Sequence, residues 1–231
     1  EIIKYANNSF LATKISFINQ IASICEKIPD ADIDDVSRTI GLDPRIGKLF
    51  LDAGPGYGGS CLPKDIKAII DFSTKIGVNP TLLTAVEKTN KQQIDRIIEL
   101  IKRNIGKIHG EKIAVLGIAF KPETDDIRDS VSVELVNRLV KLGGKISIHD
   151  PKAIENARKI FRDKVKYIKS VSATVKDCNC AVIMTAWNEY KKINNNSIKH
   201  MNTKFIIDSK RIVSSKNLNA KYFAIGLGQK L

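Results

Sequence analysis

The sequence has little cysteine, and its four thiols, Cys25, Cys61, Cys178 and Cys180, are widely scattered. So few thiols exclude a disulfide-stapled secreted scaffold. No apolar run approaches the roughly 18 residues that a membrane-spanning helix needs, and no signal-peptide pattern opens the chain. One residue separates Cys178 from Cys180, with neither a second pair nor well-spaced histidines, so no metal site is predicted. We therefore expect a cytoplasmic protein with reduced thiols and no membrane partner.

Aromatic residues make up only 6% of the chain, and basic residues outnumber acidic ones by 38 to 25, for a net charge of +13. This excess favours anionic partners, either nucleic acid or phosphorylated small molecules. The basic residues are dispersed, and neither a groove-reading motif nor a set of stacking aromatics accompanies them. We expect no nucleic-acid partner; that alternative would require steeply salt-dependent association.

The chain also lacks an initiator methionine, because it begins at Glu1 inside a helical pattern. This start predicts the middle of a longer protein. No strand pattern precedes residue 110. Apolar residues instead recur at three- and four-residue steps, which predicts helices over residues 1–28, 33–40, 64–76 and 82–105. The first part of the chain is therefore predicted to be all-helical.

Short apolar runs rich in β-branched residues follow from Lys112 onward. They predict strands at KIAVLG, KISIHD, CAVIMT, KFIID and YFAIG. Because helical patterns separate them, we expect a parallel, doubly wound sheet, and a multidomain α and α/β fold overall. The predicted domains are residues 1–106, helical, and 107–231, Rossmann-like, joined by the long helix. Gly117 lies where a dinucleotide fingerprint would begin, but the GxGxxG spacing is missing.

The stretch GPGYGGSCLPKD, residues 54–65, places a thiol in the most permissive backbone of the chain. Cys61 precedes a helix that Pro63 starts, where the helix dipole and Lys64 favour a thiolate. If that turn is helical, Asp65 lies close to the cysteine. The alternative is that Cys61 is a small buried hydrophobe and that the glycines only build a turn.

This stretch resembles the catalytic-cysteine signature of the nucleotide-sugar 6-dehydrogenases, the UDP-glucose/GDP-mannose dehydrogenase family. EIIKYANNSFLATKISFIN resembles the start of the family's central helical domain, and DPRIG matches a segment ahead of the cysteine loop. VLGIAFKPETDDIRDS and DSKRIV resemble the opening and the late basic motif of its C-terminal UDP-binding domain. The resemblance runs in order through the whole chain to YFAIG.

The resemblance implies oxidation of a sugar C6 alcohol to a carboxylate, in two steps that use two NAD+. The cysteine passes through a thiohemiacetal and a thioester. The Ser-Cys-Leu-Pro-Lys-Asp form is closer to the enzymes for UDP-glucose and GDP-mannose than to those for N-acetylhexosamine nucleotides. We expect UDP-glucose as substrate and UDP-glucuronate as product. GDP-mannose oxidation and a non-catalytic nucleotide-sugar-binding module are the alternatives.

The resemblance also implies roles for individual residues. The catalytic residues are Cys61 as the nucleophile, Lys4 and Asn8 holding the C6 oxygen, and Asp65 orienting or activating the hydrolytic water. The residues that contact the sugar nucleotide are Arg45, Gly54, Tyr57, Gly58, Phe120, Lys121 and Arg211. Arg45 is expected to reach the substrate of a neighbouring subunit, and Tyr57 to lie over the sugar nucleotide. The residues near the cofactor are Cys61, Lys64 and Arg128.

The NAD-binding domain of the family precedes its central helices, and the sequence does not contain it. We therefore expect NAD to be bound mainly by that missing domain, and we expect the chain alone to be inactive. The resemblance further implies a homodimer formed through the central helices.

Overall fold

The computed structural model describes residues 1–216 and 218–228, which form two compact units. The helical unit comprises Glu1–Gln93 together with residues 225–228, and the sheet unit is Ile94–Ala224. Among the described residues, no helix combines the length and apolar content that a membrane crossing requires.

The helical unit is built from α1 (Ile2–Cys25), α2 (Ile33–Ile40), α3 (Leu62–Lys75) and the first half of α4 (Thr81–Ile105). Asp32 begins α2, because its carboxylate accepts the amide N–H of Asp34 at 2.8 Å. Pro63 lies in the first turn of α3, where its missing N–H costs nothing. These helices agree with the predicted ones to within a few residues, because their apolar periodicity is strong.

The sheet unit contains six parallel strands in the order β3-β2-β1-β4-β5-β6 within the described residues. The strands are β1 (Lys112–Leu116), β2 (Lys145–His149), β3 (Lys166–Tyr167), β4 (Cys180–Ile183), β5 (Phe205–Asp208) and β6 (Lys221–Ala224). The predicted α/β class and parallel sheet are confirmed. Strand β3 was not predicted, because two residues carry no readable periodicity.

The helices of the sheet unit lie between its strands in the chain. They are α5 (Val131–Lys141), α6 (Ile154–Phe161), α7 (Val171–Val175) and α8 (Asn195–Ile198), with a 3-10 turn at Tyr190–Lys192. Most strand residues are buried, as expected for a parallel sheet covered on both faces.

Helix α4 belongs to both units, which moves the division from the expected residue 107 to residue 94. Its second half places Ile94, Ile97, Ile98 and Ile101 in the same core as the strands. These positions follow the i, i+3, i+4, i+7 spacing of one helix face. The sequence shows that such a face is apolar, but it does not show which partner buries each part of it.

Residues 225–228 return to the helical unit after β6. The amide of Gly226 donates to Glu26 Oε1 at 2.9 Å, and its carbonyl accepts the amide of Ile33 at 3.0 Å. Gly226 has a φ of +76°, and a Cβ atom there would overlap the side chain of Ile33. Only glycine fits this position.

Candidate functional site

The glycine-rich loop is held to two helices by side-chain amides. Asn19 of α1 accepts the amide of Gly54 at 2.7 Å. Asn90 of α4 accepts the amide of Tyr57 at 2.8 Å and donates to the carbonyl of Tyr57 at 3.0 Å. Gly56 has a φ of +104°, and a Cβ there would lie 2.6 Å from Asn90 Oδ1. The glycine is therefore what allows the loop to lie against Asn90.

The loop ends by presenting Cys61 at the start of α3. Cys61 is the residue that precedes the helix, and its thiol is exposed and not in a disulfide. Its carbonyl accepts the amide of Asp65 at 2.9 Å, so the first turn is helical, as the spacing predicted. Ser60 Oγ lies 3.8 Å from the sulfur. The amide groups and dipole of a helix N-terminus are suited to stabilising a thiolate.

Asp65 is buried next to this thiol-bearing turn, with 0% of its surface exposed. Its Oδ2 accepts a hydrogen bond from Asn8 Nδ2 at 2.6 Å and lies 3.6 Å from Lys4 Nζ. Its Oδ1 has no hydrogen-bond partner among the described residues, and Lys64 Nζ lies 3.8 Å from it. The fold thus brings Lys4, Asn8 and Asp65 together from two helices.

Lys4 and Asn8 meet Asp65 because they lie one turn apart on α1. The ammonium of Lys4 is largely exposed, whereas the carboxylate that it approaches is not. A buried carboxylate is costly unless a cation and hydrogen-bond donors face it. The cluster therefore has a cation and an amide at Asp65 Oδ2, and at Oδ1 a buried oxygen that lies near Lys64 and accepts no hydrogen bond among the described residues.

Two other predicted residues of the helical unit have different surroundings. Arg45 is exposed, and its guanidinium binds Asp43, with Nη2 2.6 Å from Oδ2. This hydrogen bonding lowers the pKa of Asp43 below its usual value. Tyr57 is only 6% exposed and packs with Ala12, Ile66 and Val86. Burial raises the pKa of its hydroxyl.

The side chain of Tyr57 is therefore part of the core, whereas the family resemblance implied that it lies over a bound sugar nucleotide. Within the glycine-rich loop, the backbone N–H and C=O of Tyr57 are the groups that bond to Asn90. The neighbouring Gly54 is buried and Gly58 is partly buried.

The predicted residues of the sheet unit lie beyond the carboxyl ends of its strands. Phe120 and Lys121 follow β1, with the Lys121 ammonium 5.5 Å from the centre of the Phe120 ring. Arg211 follows β5 and has a φ of +56°. Ligands of parallel α/β sheets bind at this edge. Arg128 is exposed and paired with Asp126, which lowers the pKa of that carboxyl.

The loop after β1 does not offer free amides to a dinucleotide. The amides of Ile118 and Ala119 donate to Asp150 Oδ2 at 2.7 Å and 3.0 Å. In a dinucleotide-binding Rossmann unit, amides in this place face a pyrophosphate. The sheet unit therefore does not fit NAD at that loop.

The remaining cysteines are core residues. Cys25, Cys178 and Cys180 are buried, and burial raises the pKa of Cys178 to about 11. Within residues 1–216 and 218–228, no group of three His, Cys, Asp or Glu side chains is placed to hold a metal ion.

The sequence did not identify the residues that hold these loops, which are Asn19, Asn90 and Asp150. Asn19 carried a readable signal, because it follows Ile18 and precedes Ala22 by one turn on the apolar face of α1. A buried asparagine in such a place needs hydrogen-bond partners. Their identity depends on the tertiary fold.

Comparison with known proteins matches both units. Residues 1–92 match the central domain of the UDP-glucose/GDP-mannose dehydrogenase family, and residues 114–215 match its UDP binding domain. The UDP-glucose 6-dehydrogenase of Rickettsia felis is 42% identical over 98% of this chain and 52% of its own length. TuaD of Bacillus subtilis, another UDP-glucose 6-dehydrogenase, is 40% identical over 98% of this chain and 50% of its own length.

A solved structure of a UDP-glucose dehydrogenase is similar to this chain as well. A UDP-glucose dehydrogenase from the hyperthermophilic archaeon Pyrobaculum islandicum superimposes with a TM-score of 0.90 at 34% identity, over 98% of this chain and 50% of that one. The chain thus spans about half the length of these relatives.

Proposed function

Because the chain belongs to the UDP-glucose/GDP-mannose dehydrogenase family, we propose that it is the nucleophile-bearing and UDP-binding part of a UDP-glucose 6-dehydrogenase. Its helical unit supplies the groups that react with the sugar C6, and its sheet unit binds the nucleotide. The observation that carries this proposal is the exposed thiol of Cys61 one helical turn before a buried Asp65 that faces Lys4 and Asn8.

The reaction converts the C6 alcohol of UDP-glucose to the carboxylate of UDP-glucuronate. NAD+, when bound, accepts one hydride in each of two oxidations. The first oxidation leaves an aldehyde at C6 and releases the hydroxyl proton. The Cys61 thiolate adds to the aldehyde carbon, which forms a carbon–sulfur bond and converts the carbonyl oxygen to an oxyanion. This oxyanion takes up a proton, equivalent to the one that the first oxidation released, and becomes the hydroxyl of a thiohemiacetal. The second oxidation removes the C6 hydrogen as hydride and the hydroxyl proton, which gives a thioester.

Lys4 and Asn8 hold the C6 oxygen while it carries negative charge. A cation and an amide donor on one helix face suit this task, because they stabilise an oxyanion without having to move. The exposed ammonium of Lys4 is accessible to a substrate, although its partner Asp65 is buried.

Asp65 directs the final hydrolysis. Its Oδ1, which accepts no hydrogen bond within the described residues, takes a proton from the attacking water. The carbon–sulfur bond then breaks, which releases the carboxylate and returns the thiolate of Cys61. Asn8 keeps the carboxylate oriented through Oδ2.

UDP binds to the sheet unit through Lys121 and Arg211, with Phe120 as an adjoining contact. Two cations beyond the carboxyl ends of parallel strands suit a diphosphate. Lys64 and Arg128 are exposed cations and suit the cofactor, which we propose is bound mainly by a separate N-terminal domain.

Isothermal titration of the 231-residue chain tests the nucleotide assignment. UDP is expected to bind and to be displaced poorly by GDP, and Lys121→Ala is expected to weaken UDP binding. Tighter binding of GDP would instead favour a GDP-mannose enzyme. The variant Lys67→Ala, which removes a cation of the helical unit, is the control.

NADH formation tests the chemistry. We propose that the chain alone does not turn over, so NADH formed from UDP-glucose and NAD+ by the purified chain would refute this point. When an NAD-binding domain is joined to its N-terminal side, Cys61→Ala is expected to abolish NADH formation and the buried-thiol control Cys25→Ala to retain it. Activity of the Cys61→Ala variant would refute the covalent mechanism.

We also propose that the chain forms a homodimer through α1. Four apolar residues spaced seven apart, Ile3, Phe10, Phe17 and Ile24, are exposed along this helix. This spacing keeps them on one face, and an apolar stripe of this kind is suited to packing against its own copy. Sedimentation analysis is expected to give a dimer that Phe10→Glu dissociates. The exposed Phe72 lies off this stripe, so Phe72→Glu is the matched control.

A further inference from the structure

A buried aspartate closes the loop that carries Arg211. Asp208 ends strand β5 and is 0% exposed. Its Oδ2 accepts the amides of Ile212 and Val213, each at 2.8 Å, and the hydroxyl of Tyr222 at 2.9 Å. Its Oδ1 accepts the amide of Lys210 at 3.1 Å. Four donors of the described residues therefore converge on one carboxylate.

Arg211 lies between these donors in a backbone conformation that side chains disfavour. Its φ of +56° is in the left-handed region, which costs a non-glycine residue free energy. The amides on both sides of it, those of Lys210 and Ile212, donate to Asp208. The carboxylate thus holds the turn in which Arg211 is strained.

A second buried aspartate, Asp150, accepts backbone amides of the loop that leads to Lys121 and so holds that loop in place. Asp150 follows strand β2, and its Oδ2 accepts the amides of Ile118 and Ala119 and the indole N–H of Trp187 at 3.2 Å. Side chains also fix the carbonyls of this loop. The Ile118 carbonyl accepts the hydroxyl of Ser130, and the Ala119 carbonyl accepts that of Thr185, each at 2.7 Å.

Burying a carboxylate is costly even when it is satisfied, and an apolar side chain would fill the same space at less cost. Both aspartates nevertheless lie directly beside the two loops that carry the nucleotide-binding cations. We propose that Asp150 and Asp208 are positioning residues of the nucleotide site. They fix the backbones of the two loops, so that Lys121 and Arg211 are held in place before a diphosphate arrives.

This inference rests on the proposed binding of UDP by the sheet unit, and pre-organisation is what links it to affinity. A cation on a loose loop must be ordered when the ligand binds, and that ordering reduces the affinity. The aspartates themselves need not touch the nucleotide. Their effect on binding must therefore pass through the cations that they position.

The test is titration of the 231-residue chain with UDP in a double-mutant cycle. Asp208→Asn is expected to weaken UDP binding by roughly tenfold, because the carboxamide presents a donor to the loop amides. In the Arg211→Ala background the same change is expected to cost no further affinity, because the side chain that it positions is gone. Asp150→Asn is expected to show the same dependence on Lys121. The exposed Asp163→Asn makes the same charge change and is the control.

The outcomes separate the two proposals. If the unmodified chain does not bind UDP, the proposed function of the sheet unit fails. If UDP binds and Arg211→Ala weakens it, but Asp208→Asn does not, the positioning role alone fails. If Asp208→Asn weakens UDP binding equally in the presence of Arg211 and in the Arg211→Ala variant, the positioning role is also overturned. Such a loss of affinity would not depend on the side chain that Asp208 is proposed to position.

A milder variant covers the case in which Asp208→Asn does not fold. Tyr222→Phe removes one donor from the carboxylate and keeps the ring. It is expected to weaken UDP binding by roughly twofold to fivefold, and only when Arg211 is present. Unchanged affinity in this variant would refute the role of Asp208.

Discussion

The two units each contain a completely buried aspartate, and the two carboxylates are satisfied to different degrees. Within the described part of the chain, Asp208 of the sheet unit accepts four hydrogen bonds, three of them from its own loop. Asp65 of the helical unit accepts one from Asn8, is approached by Lys4, and keeps Oδ1 without a hydrogen bond among the described residues. A saturated carboxylate fixes a backbone, whereas an unsaturated one is available for a proton.

One cysteine of the helical unit, Cys61, differs in the same sense from those of the sheet unit, whereas its other cysteine, Cys25, is buried like them. Cys61 of the helical unit is exposed at a helix N-terminus. Cys178 and Cys180 of the sheet unit are buried, with the pKa of each raised by desolvation. The helical unit therefore keeps an exposed thiol and a carboxylate oxygen without a hydrogen bond among the described residues, whereas the thiols of the sheet unit are buried and its Asp208 carboxylate is buried and hydrogen-bonded. This difference agrees with the proposed division of reaction and nucleotide binding between the two units.

The largest expected effect is on the stability of the sheet unit. Asp208→Asn should lower its free energy of unfolding by about 2–4 kcal/mol, because a donor would face the loop amides. Trp187 is the single tryptophan and is buried in this unit, so its fluorescence during urea unfolding reports the change. A loss below about 1 kcal/mol would contradict the view that this carboxylate holds the fold.

A smaller loss is expected where a neutral amide holds the cysteine loop. Asn90→Ala should cost about 1–2 kcal/mol, because the backbone N–H and C=O of Tyr57 both lose their partner. Circular dichroism during urea unfolding measures this loss, and the labelling rate of Cys61 should change with it. Asn104 donates to Leu100 of its own helix and to no other residue that the structure describes, so Asn104→Ala is the matched control. An equal loss in that variant would contradict a clamping role for Asn90.

Asp65→Asn should have little effect on stability and a large effect on activity. The carboxamide oxygen still accepts from Asn8, and the change removes a buried charge, so the free energy of unfolding should shift by less than about 1 kcal/mol. In the protein joined to an NAD-binding domain, the thioester should then be hydrolysed slowly and accumulate on Cys61. Mass spectrometry detects it. Normal turnover by the Asp65→Asn variant would contradict the proposed role of Asp65 in hydrolysis, and with it the contrast drawn between Asp65 and Asp208.

The smallest effect is expected at alkaline pH. The pKa of Cys178 is raised from 9.0 to about 11 in the folded chain. Below pH 9 the thiol is protonated in both states, and its contribution to stability is fully present. As the pH rises toward 11 the unfolded thiol ionises first, so this contribution is lost. The melting temperature of Cys178→Ala should therefore fall less between pH 8 and 11 than that of the unmodified chain. Parallel curves would refute this assignment.

Much of the fold could be predicted from the sequence, because local patterns determine it. KIAVL and CAVI form strands as their β-branched, apolar runs indicate, and the helix after Cys61 begins where Pro63 requires. The division of α4 between two cores could not be predicted. Both halves of that helix have an apolar face, and only the tertiary fold decides what each face contacts.

Part of the candidate site could also be predicted before the structure was known. Spacing alone indicates that Lys4 and Asn8 share a helix face and that Asp65 lies near Cys61, and only the family resemblance singled these residues out as a site. The structure brings Lys4 and Asn8 to Asp65. The core position of Tyr57 and the clamps at Asn19 and Asn90 were not predictable. A tyrosine in a glycine-rich loop has no periodicity to show whether it is buried, and an asparagine finds its partner only in three dimensions.

The return of residues 225–228 to the helical unit has a consequence for biosynthesis. Gly226 bonds to Glu26 and Ile33, nearly two hundred residues earlier in the chain. Translation makes α1 and α2 before the sheet unit, so these helices leave the ribosome long before the segment that completes their packing. We expect the helical unit, the earlier of the two units to be synthesised, to be the later one to reach its final form, and nascent chains that stop before residue 225 to be sensitive to proteases.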